Sequence, residues 1–207
     1  MALPLKPEQV REVRDQIRHI AEQHMAKLGS TDISLRAVAA EMGWTAASLY
    51  RYFDSKIALI AATRTAAYDR FSTRIEHAYN STDDLWARSR AIGEAYIAFA
   101  FDEPAAYKLI FAYEQPEAEK TDELVAAEQR SRRTLTGYVA DMVAAGLIEG
   151  EPEILAHAYW ASLHGLISLH MAGKLSRSVT FDTVKLASRR LITRGALPLQ
   201  DIPRDGA

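Results

Sequence analysis

Arg36, Thr45, Ser48, Tyr50, Arg51, Tyr52 and Lys56 all fall within residues 34–56 of a 207-residue chain. Two guanidiniums, an ammonium, two aliphatic hydroxyls and two phenols make a concentrated set of hydrogen-bond donors. Only Glu41 and Asp54 oppose them in that stretch. Such a set suits recognition of a polyanion rather than bond breaking. An arginine can hydrogen-bond O6 and N7 of guanine together, worth about 1–3 kcal/mol of discrimination between bases. A phenol whose ring packs on the protein can turn its hydroxyl to a phosphate, which fixes register without reading sequence. Lys56 begins the next helix, so its ammonium and the helix N-terminal amides can grip the same strand.

The elements that must hold these groups are short. Ser34 is a good N-cap, and Leu35, Val38, Ala39 and Met42 recur at helical spacing. Gly43 supplies the backbone freedom of a tight turn. Thr45 can then cap a second helix, expected over residues 46–53, whose small residues Ala46 and Ala47 permit close approach. This is the layout of a helix-turn-helix, with the second helix in the major groove. Thr45, Ala46 and Ser48 occupy its first turn, where base edges are read. Ala46 and Ala47 offer only methyl contacts, and Ser48 either reads a base or satisfies its own helix. Arg36 contacts base or phosphate, or else stays solvated or pairs with Glu41. Trp44 either wedges beside the backbone or fills the turn, the second being favoured. Leu49 and Phe53 are core.

The chain is 48% hydrophobic with formal net charge −2 and no cysteine. It is long enough to bury a real core. Without cysteine there is no disulfide framework, thiolate nucleophile or cysteine-based zinc site. The beginning, MALPLKPEQV, lacks the pattern of a signal peptide, and a cytoplasmic location is expected. Slight overall acidity does not itself favour nucleic acid. The acid is concentrated elsewhere, in residues 102–103 and 114–123, which leaves a small focused basic face at residues 34–56. Residues 154–173 contain no Lys, Arg, Asp or Glu and approach the length of a membrane span. His157, His164 and His170 make that reading costly, and burial against protein explains the stretch better.

Almost the whole chain reads as helix, and no alternating strand pattern appears. The expected fold class is all-α: an N-terminal three-helix bundle with the helix-turn-helix, then a larger helical bundle, about nine helices in all. Helices are expected over residues 7–28, ended by Gly29, over the pair at 34–53, and from 56 to 79 after an Asp54–Ser55 cap. Others follow Asp83–Asp84, at 105–113, 117–145, 152–173 and 181–194. The implied domains are a DNA-binding domain at 1–55, a connecting helix at 56–79, and a ligand-binding and dimerisation domain at 80–207.

Residues 10–68 resemble the DNA-binding domain of the TetR family of bacterial repressors. The likeness is carried by Gly43, by Leu49-Tyr50-x-Tyr52-Phe53, and by Lys56 and Leu59. Pro104-x-x-Tyr107-x-Leu109-x-Phe111 and Trp160-x-x-x-His164-Gly165 resemble the subset of these regulators whose C-terminal part is called the WHG domain. Trp44 departs from the small aliphatic residue more common there, and Thr45 and Ala46 replace commoner polar choices. The resemblance implies a homodimeric DNA-binding regulator, a repressor on a palindromic operator, released by a small apolar or aromatic effector. It places Arg36 in the major groove.

The C-terminal half is rich in aromatics, which usually mean core. Pockets between bundle helices are lined in the same way. Tyr96, Phe99, Tyr107, Phe111, Trp160 and His164 are the candidate lining, with His164 either bonding a ligand or capping a buried carbonyl. The last two helices suit a four-helix dimer interface, with Ala156, Leu163, Ile167, His170, Val184 and Leu191 as candidates. Twofold symmetry there matches a palindromic operator. Glu153 and His157 lie one helical turn apart, a spacing more often structural than metal-binding. No cofactor, metal or catalytic residue is expected. The rivals are a helical enzyme using the aromatic cavity, for which no acid/base pair is found, and an adaptor gripping a protein through residues 44–56.

Overall fold

A computed structural model describes residues 6–29 and 32–197. Among them are nine α-helices, one 3₁₀ turn and no strand. The helices are α1 (Pro7–Leu28), α2 (Leu35–Glu41), α3 (Ala46–Leu49), α4 (Lys56–Tyr79) and α5 (Leu85–Asp102). They continue with α6 (Pro104–Phe111), α7 (Asp122–Ala144), α8 (Pro152–Met171) and α9 (Phe181–Ala196). None is long and apolar enough to cross a membrane.

Local signals set most ends. Pro7 opens α1 and Gly29 closes it at φ +62°, where its amide reaches the Met25 carbonyl. The Ser34 hydroxyl caps α2 and the Ser55 hydroxyl caps α4, each accepting from an amide three residues on. Two expectations fail. The second reading-head helix stops at Leu49 rather than residue 53, because the amides of Arg51 and Tyr52 reach back only three residues, to Ser48 and Leu49. The long helix expected at 117–145 is divided. The Gln115 amide group donates to the Glu119 carbonyl at 2.8 Å, the acceptor a continuous helix would need. A 3₁₀ turn at Glu117–Glu119 results, and α7 begins afresh with the Thr121 hydroxyl as cap.

Two compact units form, Met1–Phe71 with Phe99–Ser131, and Ser72–Ala98 with Arg132–Ala207. These differ from the boundaries at 55 and 79 read from sequence. In the first unit α6 packs on α1, and Phe71 meets Phe99 and Phe111 edge-on at 5.2 and 5.4 Å. The Tyr68 hydroxyl donates to the Ile110 carbonyl at 2.9 Å. Arg64, almost wholly buried, gives its Nη2 to the Tyr113 carbonyl at 2.9 Å and faces Glu128 at 3.5 Å. Arg70 clamps Glu22 of α1 at 2.8 Å and Glu103 at 2.6 Å, just before α6. Residues 99–131 therefore fold with the helix-turn-helix. In the second unit α8 packs on α9, and Tyr79 and Arg88 both reach the Asp141 carboxylate.

Candidate nucleic-acid interface and effector cavity

Gly43, at φ +70°, turns the chain between α2 and α3, and the Trp44 amide closes the turn on the Ala39 carbonyl at 2.8 Å. A side chain at that φ is strained, which is why glycine stands there. Trp44 then lies flat on Tyr52, ring centroids 5.6 Å apart and planes 17° from parallel. Arg14 of α1 supports the far side. Its Nη1 donates to the Tyr52 carbonyl at 2.6 Å, and its guanidinium sits 4.5 Å from the centre of the Phe53 ring. Sequence reasoning missed Arg14, which carries no local motif and acts through residues nearly forty positions away.

Around this frame, Arg36, Ala47, Tyr50 and Arg51 are exposed. Ser34 and Thr45 are exposed as well, whereas Ala46, Ser48, Tyr52 and Trp44 are partly covered. The Thr45 and Ser48 hydroxyls share a hydrogen bond at 3.2 Å. Glu41 pairs with His24 at 2.8 Å, so it is not Arg36's partner. Lys56 is engaged: the Asp32 carboxylate accepts its ammonium, and this contact holds the acid below its ordinary value of 3.8.

The second unit holds a cavity of about 950 Å³ walled by α5, α7, α8 and α9. That volume suits a drug-sized guest. Tyr96 and Trp160 line it, and Trp160 Nε1 donates to the Tyr96 oxygen at 2.9 Å. That oxygen lies 3.3 Å from His164 Nδ1. The Tyr96 hydroxyl, which accepts from the indole, also shares a hydrogen bond with the imidazole, in a direction set by the ring's tautomer. Burial pushes His164 below its ordinary 6.5 and so favours the neutral ring. His164 thus bonds a side chain of the cavity wall. Phe99, Tyr107 and Phe111 do not join this group. They pack in the first unit, Phe99 and Tyr107 buried and Phe111 half-buried, with Phe99 and Phe111 against Phe71 and Tyr107 on Phe111 at 5.0 Å.

The six dimer candidates also divide. Ala156 and Ile167 are buried within the protomer, and Leu163 faces the cavity. Val184 is half-buried, and His170 packs edge-on against Phe181 at 5.1 Å. Leu191 alone of the six is strongly exposed, at 74%. Ile154 of α8 joins it at 68% and Leu169 at 48%, both missed by the small-residue reasoning. The Glu153–His157 pair is accounted for locally, since His157 Nδ1 lies 2.7 Å from the Glu153 carbonyl.

A glycine-turned pair of short helices with exposed donors, followed by a helical unit enclosing an aromatic cavity, defines a helix-turn-helix transcriptional regulator. A protein-family model described as bacterial regulatory proteins, tetR family, matches residues 17–63. A second, described as tetracyclin repressor-like, C-terminal domain, matches residues 89–194 and so covers both C-terminal motifs. The chain belongs to the TetR family, whose members are non-enzymatic DNA-binding regulators. It is 25% identical over 147 residues to the HTH-type transcriptional regulator Rv1816 of Mycobacterium tuberculosis. That match spans 68% of this chain but only 62% of the relative's length. A solved protein of unknown function from Rhodococcus sp. RHA1 superposes with TM-score 0.76 at 26% identity, over 89% of this chain and 95% of that one. A TetR family transcription regulator from Marinobacter aquaeolei VT8 shares the fold, with TM-score 0.71 at 19% identity over 88% and 94% of the two chains.

Proposed function

We propose that the protein is a repressor that binds a (pseudo)palindromic operator as a homodimer and is released by a small molecule entering the cavity of the second unit. The observation that carries the reading is the reading-head surface. Arg36, Tyr50 and Arg51 stand exposed beside α3, on a turn braced by the Trp44–Tyr52 stack. Arg36 contributes base contact, and Tyr50, Tyr52 and Arg51 hold phosphates. Lys56 joins them on DNA by exchanging Asp32 for a phosphate. Thr45, Ala46, Ala47 and Ser48 present methyl and hydroxyl groups to base edges.

A second copy is supported by apolar residues that α8 and α9 leave in water, Ile154, Leu169, Leu186 and Leu191. A dimer sets two heads about one helical repeat, ~34–36 Å, apart. The guest changes that spacing through α4, and a coupling of about 1–3 kcal/mol suffices for release. Protein of this kind works in the cytoplasm, where its operator is.

Electrophoretic mobility shift on DNA flanking the protein's own gene, repeated at rising salt, tests the reading. A sequence-selective, salt-dependent shift is expected, and Arg36→Ala should weaken specific binding by about 1–3 kcal/mol. No shift on any DNA would sink it.

A further inference from the structure

We infer that the cavity of the second unit takes an amphipathic organic anion, an apolar or aromatic body bearing one carboxylate. This rests on the effector-site reading above and adds the chemistry of the guest. Two independent features of the wall carry it.

The first is charge. Arg90 of α5 and Arg189 and Arg190 of α9 belong to the wall, and none has a carboxylate partner among the described residues. The one acid in the wall, Glu94, is already held by Lys185 at 3.0 and 3.2 Å. An apolar chamber therefore opens beside uncompensated guanidiniums, which are shaped for bidentate capture of a carboxylate. All three arginines are solvent-exposed, so they belong to the rim, while Tyr96 and Trp160 furnish the interior. A guest matched to both has a charged end and a greasy one.

The second is Tyr138 of α7. It is 9% exposed and lines the cavity, yet its hydroxyl has no hydrogen-bond partner among the described residues. The ring is buried but the oxygen is not sealed off, so the hydroxyl is open to a guest in the cavity. Burial pushes its pKa up, so it remains a neutral donor. An oxygen of the guest satisfies it.

The test is isothermal titration calorimetry of the full chain with two matched sets of probes. One is dodecanoate, dodecanol and dodecylammonium, below micellar concentrations. The other is 2-naphthylacetate, 2-naphthaleneethanol and 2-naphthylethylammonium. In whichever set binds, the anion should bind at least about tenfold more tightly than the alcohol, and the ammonium more weakly still. The R189Q/R190Q double variant, with R90Q as a second and independent one, should shrink the anion's advantage and leave the alcohol's affinity unchanged. Tyr138→Phe should weaken the anion several-fold, by about the value of one hydrogen bond to a charged group. An alcohol or ammonium binding as tightly as its acid would overturn the charge argument alone. So would an anion preference that survives both arginine variants. Absence of heat from all six probes would overturn the guest chemistry and the effector-site reading together, while operator binding would still be read separately by mobility shift.

Discussion

Lys56 and Asp32 show how one side chain can moderate a DNA-binding surface. The carboxylate takes one of the ammonium's donors and offsets its charge in the free protein, so it competes with any phosphate for Lys56. Asp32→Asn should therefore raise affinity for all DNA sequences and steepen the salt dependence by about one counterion, a slope change near 0.9. Lys56→Ala should flatten the slope by about the same amount; anisotropy titrations across salt check both. His164 supplies a pH test. Its folded-state pKa is lowered, so the unfolded chain takes up a proton first. Stability is complete above pH 6.5 and declines as pH falls through and below it, and His164→Gln should flatten that part of the melting-temperature profile. The reading-head residues were legible because each type has a narrow physical use: glycine at positive φ, serine as cap, arginine and phenol outside. Asp32 was not, because nothing in its neighbourhood announces a partner in α4.

Helix ends were legible wherever a proline, glycine or hydroxyl marks them, as in α1, α2 and α8. They were lost where a distant side chain intervenes, as Gln115 does before α7. Aromatic periodicity was the weakest guide. Tyr96 and Phe99 lie three residues apart in α5, yet one lines the cavity and the other packs on Phe71. Ring type serves both duties equally, so sequence gathered them into a single pocket. For α8, the missing charge pointed to burial, and the proposed association instead calls on apolar residues that α8 and α9 leave outside, Ile154, Leu169 and Leu191. Leu191→Arg should leave the protomer folded and shift sedimentation velocity from dimer to monomer. An unpaired charge in such an interface costs about 3–5 kcal/mol, so operator affinity should fall with it.

At the scale of the whole chain, a net charge of −2 gives no general attraction to DNA. On the proposed reading, binding comes from the small face at residues 34–56, and should be steeply sensitive to salt but modest on random sequence. The all-α class and the order of its parts could be read from periodicity alone. The division into compact units could not, because it depends on α6 returning to α1 across the intervening residues 29–103.

The clamp of Arg70 on Glu22 and Glu103 bears on portability. A transplant of residues 1–79 onto a foreign effector module would leave Phe71, Tyr68 and Arg64 stripped of the cover that residues 99–131 provide. Such an excised piece should melt far below the parent by circular dichroism, whereas a chimera that keeps residues 99–131 beside it should recover cooperative unfolding. Swapping specificity in this protein means exchanging two stretches of chain, not one.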